Sequence, residues 1–230
     1  MNLNKAVIVL SLLAWFGGCL PGYFGTIRPI ASDKSGQEED GVSYRMLTLE
    51  DFRSSASSDN VSHSKKTTVV SCTRIRTASK TKVVAIPQPL LRRGEYPGYI
   101  GNITDLEFYA VLDRECLARN QRNAEWEVSI LLEHEQAHFA IMEIAARRLN
   151  RQLYEGSLKF RFKGATQDEV GRAGEKFIAN ILRKGTEQAL ARSQQFDLET
   201  DHGSLVEKQD SWVELLQEEM EDLVDYIGGP

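Results

Sequence analysis

Histidine is scarce in this chain, with four among 230 residues, and cysteine is scarcer still at three. Basic residues are not in excess: 28 Lys and Arg against 33 Asp and Glu give a net charge of −5 and a pI near 5.5. That balance lacks the basic footprint of a nucleic-acid-binding module. Seventeen glycines are far too few for collagen, and 41% apolar residues are too many for wholesale disorder. Long apolar runs are missing too. The stretch 6–16, interrupted only by Ser11, falls short of the roughly 20 residues needed to cross a bilayer. What is left is a composition ordinary for a soluble globular protein of one domain with appendages.

The short apolar run has a purpose. It follows Lys5 and ends in Gly17-Gly18, so a basic start, an apolar centre and small residues stand in the order of a secretory signal peptide. Phe16-Gly17-Gly18-Cys19 resembles a bacterial lipoprotein box, with Phe where that box usually has Leu. It implies acylation of Cys19, with plain secretion as the alternative. Residues 1–18 are therefore expected to be a signal peptide. Residues 19–41, small, polar and acidic, are expected to be a flexible tether, and 42–230 the folded domain. The expected location is extracytoplasmic, as a periplasmic or outer-envelope lipoprotein or otherwise secreted, with membrane association only through Cys19. In that compartment Cys72 and Cys116 allow one disulfide, worth a few kcal/mol, or stand as two separate buried thiols.

Beyond the tether the chain divides into a strand-rich and a helical half. Residues 67–76 and 81–87, rich in Val, Ile and Thr, predict a hairpin closed at 77–80. In 106–112, Leu106, Phe108, Ala110 and Leu112 alternate as in a strand, although Thr104 and Glu107 have the form of a helix capping box. Helices are predicted over 123–154, stopped by Gly156, over 166–195 from a Thr166/Glu169 capping box, and over 206–226. A short strand is expected within 158–163. The last helix places Trp212, Leu215, Leu216, Met220 and Leu223 on one face.

Two of the four histidines carry the chemistry. His134-Glu135-Gln136-Ala137-His138 lies inside the first predicted helix, where residues four apart are 400° and hence 40° apart around the axis. Two imidazoles so placed can hold one zinc ion, and Glu135 beside them can take a proton from a zinc-activated water. A catalytic zinc needs a third protein ligand. Ile141 and Ile144 stand where the longer HExxHxxGxxH motif needs Gly and His, so that class is excluded. Glu143, nine residues after His134, points to the far side of the helix. His202, in a polar turn ending at Gly203, is favoured over a carboxylate or over His63 in a serine-rich loop. Asp201, Glu143 or Asp197 is suited to orient a ligand imidazole.

These residues resemble a known group. The run His134 to Phe139, then Glu143, Ala146-Arg147-Arg148-Leu149, Phe196-Asp197, Glu199-Thr200, His202-Gly203, Gln209 and Trp212 are similar to the predicted secreted zinc-dependent protease family of bacteria. The likeness extends over roughly residues 44–226. It implies His134, His138 and His202 as zinc ligands and Glu135 as general base. Ala137, Ala140 and Phe196 stand where that family usually has Gly, Asp and Tyr, so a carboxylate and a hydroxyl are missing here.

The expected fold is α+β and zincin-like, an N-terminal antiparallel sheet followed by a helical half that carries HExxH. The expected function is a zinc-dependent metallopeptidase acting on a peptide or protein in the bacterial envelope. An edge strand of the sheet could align the substrate through main-chain hydrogen bonds. The alternatives are a zinc amidase acting on cell-wall peptide and a non-catalytic zinc-containing envelope binding module.

Overall fold

A computed structural model describes residues 37–38, 41–48, 51, 69–70, 73–88, 98–113, 118–119 and 125–229. The expected signal peptide, Cys19, His63, Cys72 and Cys116 lie outside these residues. In chain order the strands are β1 (Gln37–Glu38), β2 (Gly41–Ser43), β3 (Val69–Val70), β4 (Thr73–Thr77), β5 (Lys82–Pro87), β6 (Tyr99–Thr104), β7 (Phe108–Asp113) and β8 (Ala118–Arg119). Helix α1 (Glu125–Tyr154) follows, then β9 (Phe162–Gly164), α2 (Gln167–Thr200), α3 (Val206–Asp222) and a 3₁₀ turn at Val224–Tyr226. The architecture is α+β, with antiparallel sheets and a mainly helical C-terminal half.

The strands form three groups, β1-β2-β7-β4, β3-β8 and β5-β6-β9. The first two strands of the larger sheet begin inside the stretch read as a tether. Strand β7 is the axis of that sheet, and Phe108 through Leu112 are all buried. The sequence alternation marked Phe108, Ala110 and Leu112 as inward. Tyr109 and Val111 are buried as well, because both faces of this central strand are covered.

The predicted hairpin of residues 67–76 with 81–87 does not form. Strand β4 pairs with β7, Ile75 opposite Ala110, whereas β5 pairs with β6, Ile86 opposite Ile100. The connection 78–81 carries the chain from one sheet to the other. It runs beside the β6–β7 connection, which makes the same crossing at Asp105 (φ 54°). Ala78 N–H donates to Glu107 O, the Thr81 hydroxyl to Asp105 O, and Lys80 pairs with Glu107 at 2.9 Å. Strand propensity was read correctly in both segments. The choice of partner was not local information.

Helix α1 packs on β7 and takes over its hydrogen bonding where β2 ends. The β2 ladder stops at Ser43 opposite Val111. From there Glu143 Oε2 accepts from Ala110 N–H at 3.1 Å, and Asn150 both accepts from Phe108 N–H and donates to Phe108 O at 2.8 Å. Glu143 and Asn150, two turns apart on one helix face, thus stand in for a strand. Glu143 Oε1 also accepts from Arg147 Nε at 2.8 Å, and both side chains are almost wholly buried. Burial pushes the Glu143 carboxyl above its usual range, against the pull of the Arg147 guanidinium and the Ala110 amide. Gln136 ties α1 to the N-terminal segment, accepting from Leu47 N–H and donating to Arg45 O.

Helix α2 starts as its capping box predicts. The Thr166 hydroxyl accepts from Glu169 N–H, and the Glu169 carboxylate accepts from Ala165 N–H. Near that end Gly174 lies against β5, where an added Cβ would meet Val83 at 2.6 Å. The helix runs to Thr200, five residues past its expected end at 195. In the last helix Val213 is buried with Trp212, Leu216, Met220 and Leu223, while Leu215, expected inside, is exposed.

Candidate metal centre

The site forms where the middle of α1 meets the last turn of α2. His134 and His138 leave α1 on one side, 40° apart, and their ring centroids are 4.7 Å apart. Because α2 continues to Thr200, Asp197 lies on helix rather than loop and faces both imidazoles. Its Oδ1 is 3.0 Å from His134 Nε2 and 3.0 Å from His138 Nε2, and the two nitrogens are 3.1 Å apart.

A reversal at the end of α2 brings in the third histidine. Thr200 is followed by three residues in the left-handed region: Asp201 (φ 46°), His202 (φ 53°) and Gly203 (φ 84°). His202 N–H donates to Asp197 O at 2.9 Å and Leu205 N–H to Thr200 O at 2.9 Å. The Thr200 hydroxyl accepts from Gly203 N–H and donates to Phe196 O. A left-handed histidine costs on the order of 1 kcal/mol, and here that conformation folds its side chain back over α2. His202 Nδ1 lies 3.6 Å from Asp197 Oδ1. Donor atoms of His134, Asp197 and His202 all fall within 4.8 Å of one another. The structure therefore brings His134, His138 and His202 together, as the sequence suggested, and adds Asp197 among them.

The spacing and chemistry of this set suit a metal ion. Four ligands about 2.05 Å from a tetrahedral zinc would be roughly 3.3 Å from one another. Two imidazole nitrogens and a carboxylate oxygen at mutual distances of 3.0–3.1 Å approach that spacing. A hydrogen bond can satisfy the two nitrogen–oxygen pairs in turn, but two neutral Nε2 lone pairs 3.1 Å apart repel unless a cation lies between them.

The surroundings keep His134 ready to bind. Burial first, and then the neighbouring His138, push its pKa down to about 4 against the opposing pull of Asp197 and Gln209. The ring is therefore neutral near pH 7. Nδ1 lies 3.3 Å from Gln209 Oε1, an acceptor, which assigns the proton to Nδ1 and leaves Nε2 as a lone pair. Phe196 stacks on the same ring at 4.7 Å, meets His138 edge-on and packs against Trp212. Gly203 has no room for a side chain, since a Cβ would stand 3.0 Å from Gln209 Oε1 and 3.3 Å from His134 Nδ1. Asp197 is half-buried. Burial alone would raise its pKa, but the hydrogen bond from His138 and the charges of His138, His134 and His202 hold it below the usual carboxylate range.

Glu135 is buried at 6% exposure, one residue along from His134. On the helix it stands 60° from His138 and 100° from His134. Of the carboxylates considered for orienting an imidazole, Glu143 is engaged with Arg147 and Ala110 on the far side of α1, and Asp201 is an exposed helix cap. Asp197 sits on the metal-facing side of the rings, in a ligand's place rather than behind one. Gln209 supplies the contact from behind. The sequence carried both residues without revealing these roles, because Asp197 was read as lying beyond its helix and Gln209 lies 75 residues from its partner.

A cleft of about 690 Å³ between β5 and the first turns of α2 is a separate feature. Gly171 in its wall and Asp197 are 26 residues apart on one helix, about 39 Å at 1.5 Å per residue.

The chain matches none of the protein-family models, curated proteins or solved structures with which it was compared.

Proposed function

We propose that this chain is a zincin-like, zinc-dependent metallopeptidase of the bacterial envelope, related to the secreted protease family its motifs resemble. The observation that carries the reading is the convergence of His134 Nε2, His138 Nε2 and Asp197 Oδ1 at 3.0–3.1 Å, directly beside Glu135. These three hold the ion, and His202, its side chain 75% exposed at the rim, takes an exchangeable fourth position. A zinc ion there supplies Lewis acidity, polarising a scissile carbonyl and bringing the pKa of an attacking water from 15.7 to about 7.

The remaining work belongs to the protein. Gln209 holds the proton of His134 on Nδ1 and fixes the ring. Phe196 shields both imidazoles on one side. Glu135 takes a proton from the attacking water and returns it to the nitrogen of the leaving amine. The exposure of His202 favours a site open to substrate, since structural zinc sites close with four buried protein ligands.

The test uses residues 20–230, which retain every described element. Metal content is measured, and casein and peptidoglycan are assayed with wild type and Glu135→Gln. The expected result is stoichiometric zinc in both proteins, with hydrolysis lowered about 10²–10⁴-fold in the variant. Cleavage of peptidoglycan alone would favour the amidase. Zinc-loaded wild type inert towards both substrates would favour the binding module.

A further inference from the structure

A second surface lies on the β5-β6-β9 sheet, on the face turned away from α2. Val83 points inward against Gly174, and Phe162 packs on Phe177, so the alternate residues point out. On β5 these are Lys82, Val84 and Ile86. The register sets Ile86 opposite Ile100 and Ile100 opposite Lys163, so an apolar strip crosses the sheet and ends in a cation. Arg161 continues the outward alternation of Lys163 and is exposed. Val84 and Ile86 are 39% and 53% exposed. The other outward positions of β6 are Asn102 and Thr104, so no acidic residue stands on this face, although the chain carries 33. The described ion pairs of the protein engage Arg45, Arg74, Lys80, Arg147, Arg148, Arg183 and Arg192, and none of these three cations.

We propose that this face docks on an anionic lipid bilayer, with Val84 and Ile86 entering the interface and Lys82, Arg161 and Lys163 meeting headgroup phosphates. An apolar strip flanked by cations is the pattern of an interfacial membrane contact. A positive face on a protein of net charge −5 also orients the molecule, because the rest of its surface is repelled by the same bilayer. The sequence supplies proximity. Cys19, the expected site of acylation, lies 22 residues before Gly41, and a coil of that length spans roughly 25 Å. At such a distance even weak docking is populated, since the bilayer is presented at high effective concentration. The proposal does not rest on the metal centre, and its test does not need the acyl group.

The experiment is co-sedimentation of residues 20–230 with vesicles of phosphatidylethanolamine and phosphatidylglycerol, three to one, and with phosphatidylcholine vesicles. Partitioning into the anionic vesicles is expected to be roughly tenfold stronger and to fall with added salt. Lys82→Gln/Lys163→Gln should lose about fivefold per cation removed, and Ile86→Ser should weaken binding to the same vesicles. Circular dichroism and the zinc content of each variant show that the fold is intact. If the double variant folds poorly, Arg161→Gln carries the same expectation. Equal partitioning into both vesicle types, or variants that bind as wild type does, overturns the proposal. So does retention on single-stranded DNA or on a protein without retention on vesicles.

Discussion

Replacing Asp197 by Ala removes the one anionic donor among four. If Asp197 is a ligand, the loss can be scaled from the apparent free energy of structural zinc sites, about 10–16 kcal/mol shared over four ligands, or roughly 3–4 kcal/mol each. That corresponds to about 10²–10³-fold in Kd. A carboxylate that only steadied an imidazole from behind would cost about 10–100-fold. The geometry favours the larger figure, because Oδ1 is 3.0 Å from each Nε2 and touches neither Nδ1 of the α1 histidines. Competition with a chromophoric chelator at pH 7.4 measures Kd directly. Asp197→Asn, which keeps a neutral oxygen in place, should fall between Ala and wild type. His202→Ala, which removes the exposed donor, should cost less than Asp197→Ala. Zinc at 100 times its Kd should stabilise the wild type by about 2.7 kcal/mol, a rise of roughly 5–10 °C in Tm that Asp197→Ala should lose at the same zinc concentration. A loss below tenfold in Kd for Asp197→Ala would refute the ligand assignment, and a larger loss for His202→Ala would reverse the order of the two.

Three further substitutions probe the support of the site. Gln209→Leu strips His134 Nδ1–H of its buried acceptor; zinc affinity should fall about 10–100-fold, and urea unfolding of the metal-free protein should register about 1–3 kcal/mol. Gly203→Ala forces a side chain into a left-handed turn and against Gln209 and His134, so it should destabilise the metal-free protein by about 1–2 kcal/mol and weaken zinc binding as well. Arg147→Met leaves Glu143 as an uncompensated buried charge and should cost about 3–5 kcal/mol. Adding Glu143→Gln should recover part of that loss, since the amide oxygen can still accept from Ala110 N–H; strictly additive costs in the double-mutant cycle would contradict a coupled pair.

The sequence by itself determined the elements and half of the site. Helical periodicity and capping chemistry are local, so α1, α2 and α3 were legible, as were the strand character of β4, β5 and β7 and the stop at Gly156. A four-residue spacing on a helix fixes the angle between His134 and His138 whatever the rest of the chain does. Tertiary structure decided what depends on partners. Pairing of β4 with β7 rather than β5 follows from two neighbouring crossovers between sheets, and strand propensity does not encode a partner. Asp197 and His202 reach the histidines because α2 outruns its apolar pattern by more than a turn and then reverses through three left-handed residues. Gln209 meets His134 across 75 residues of chain. A ligand set drawn from two helices is a property of their packing, and a sequence states only which donors are there to be packed.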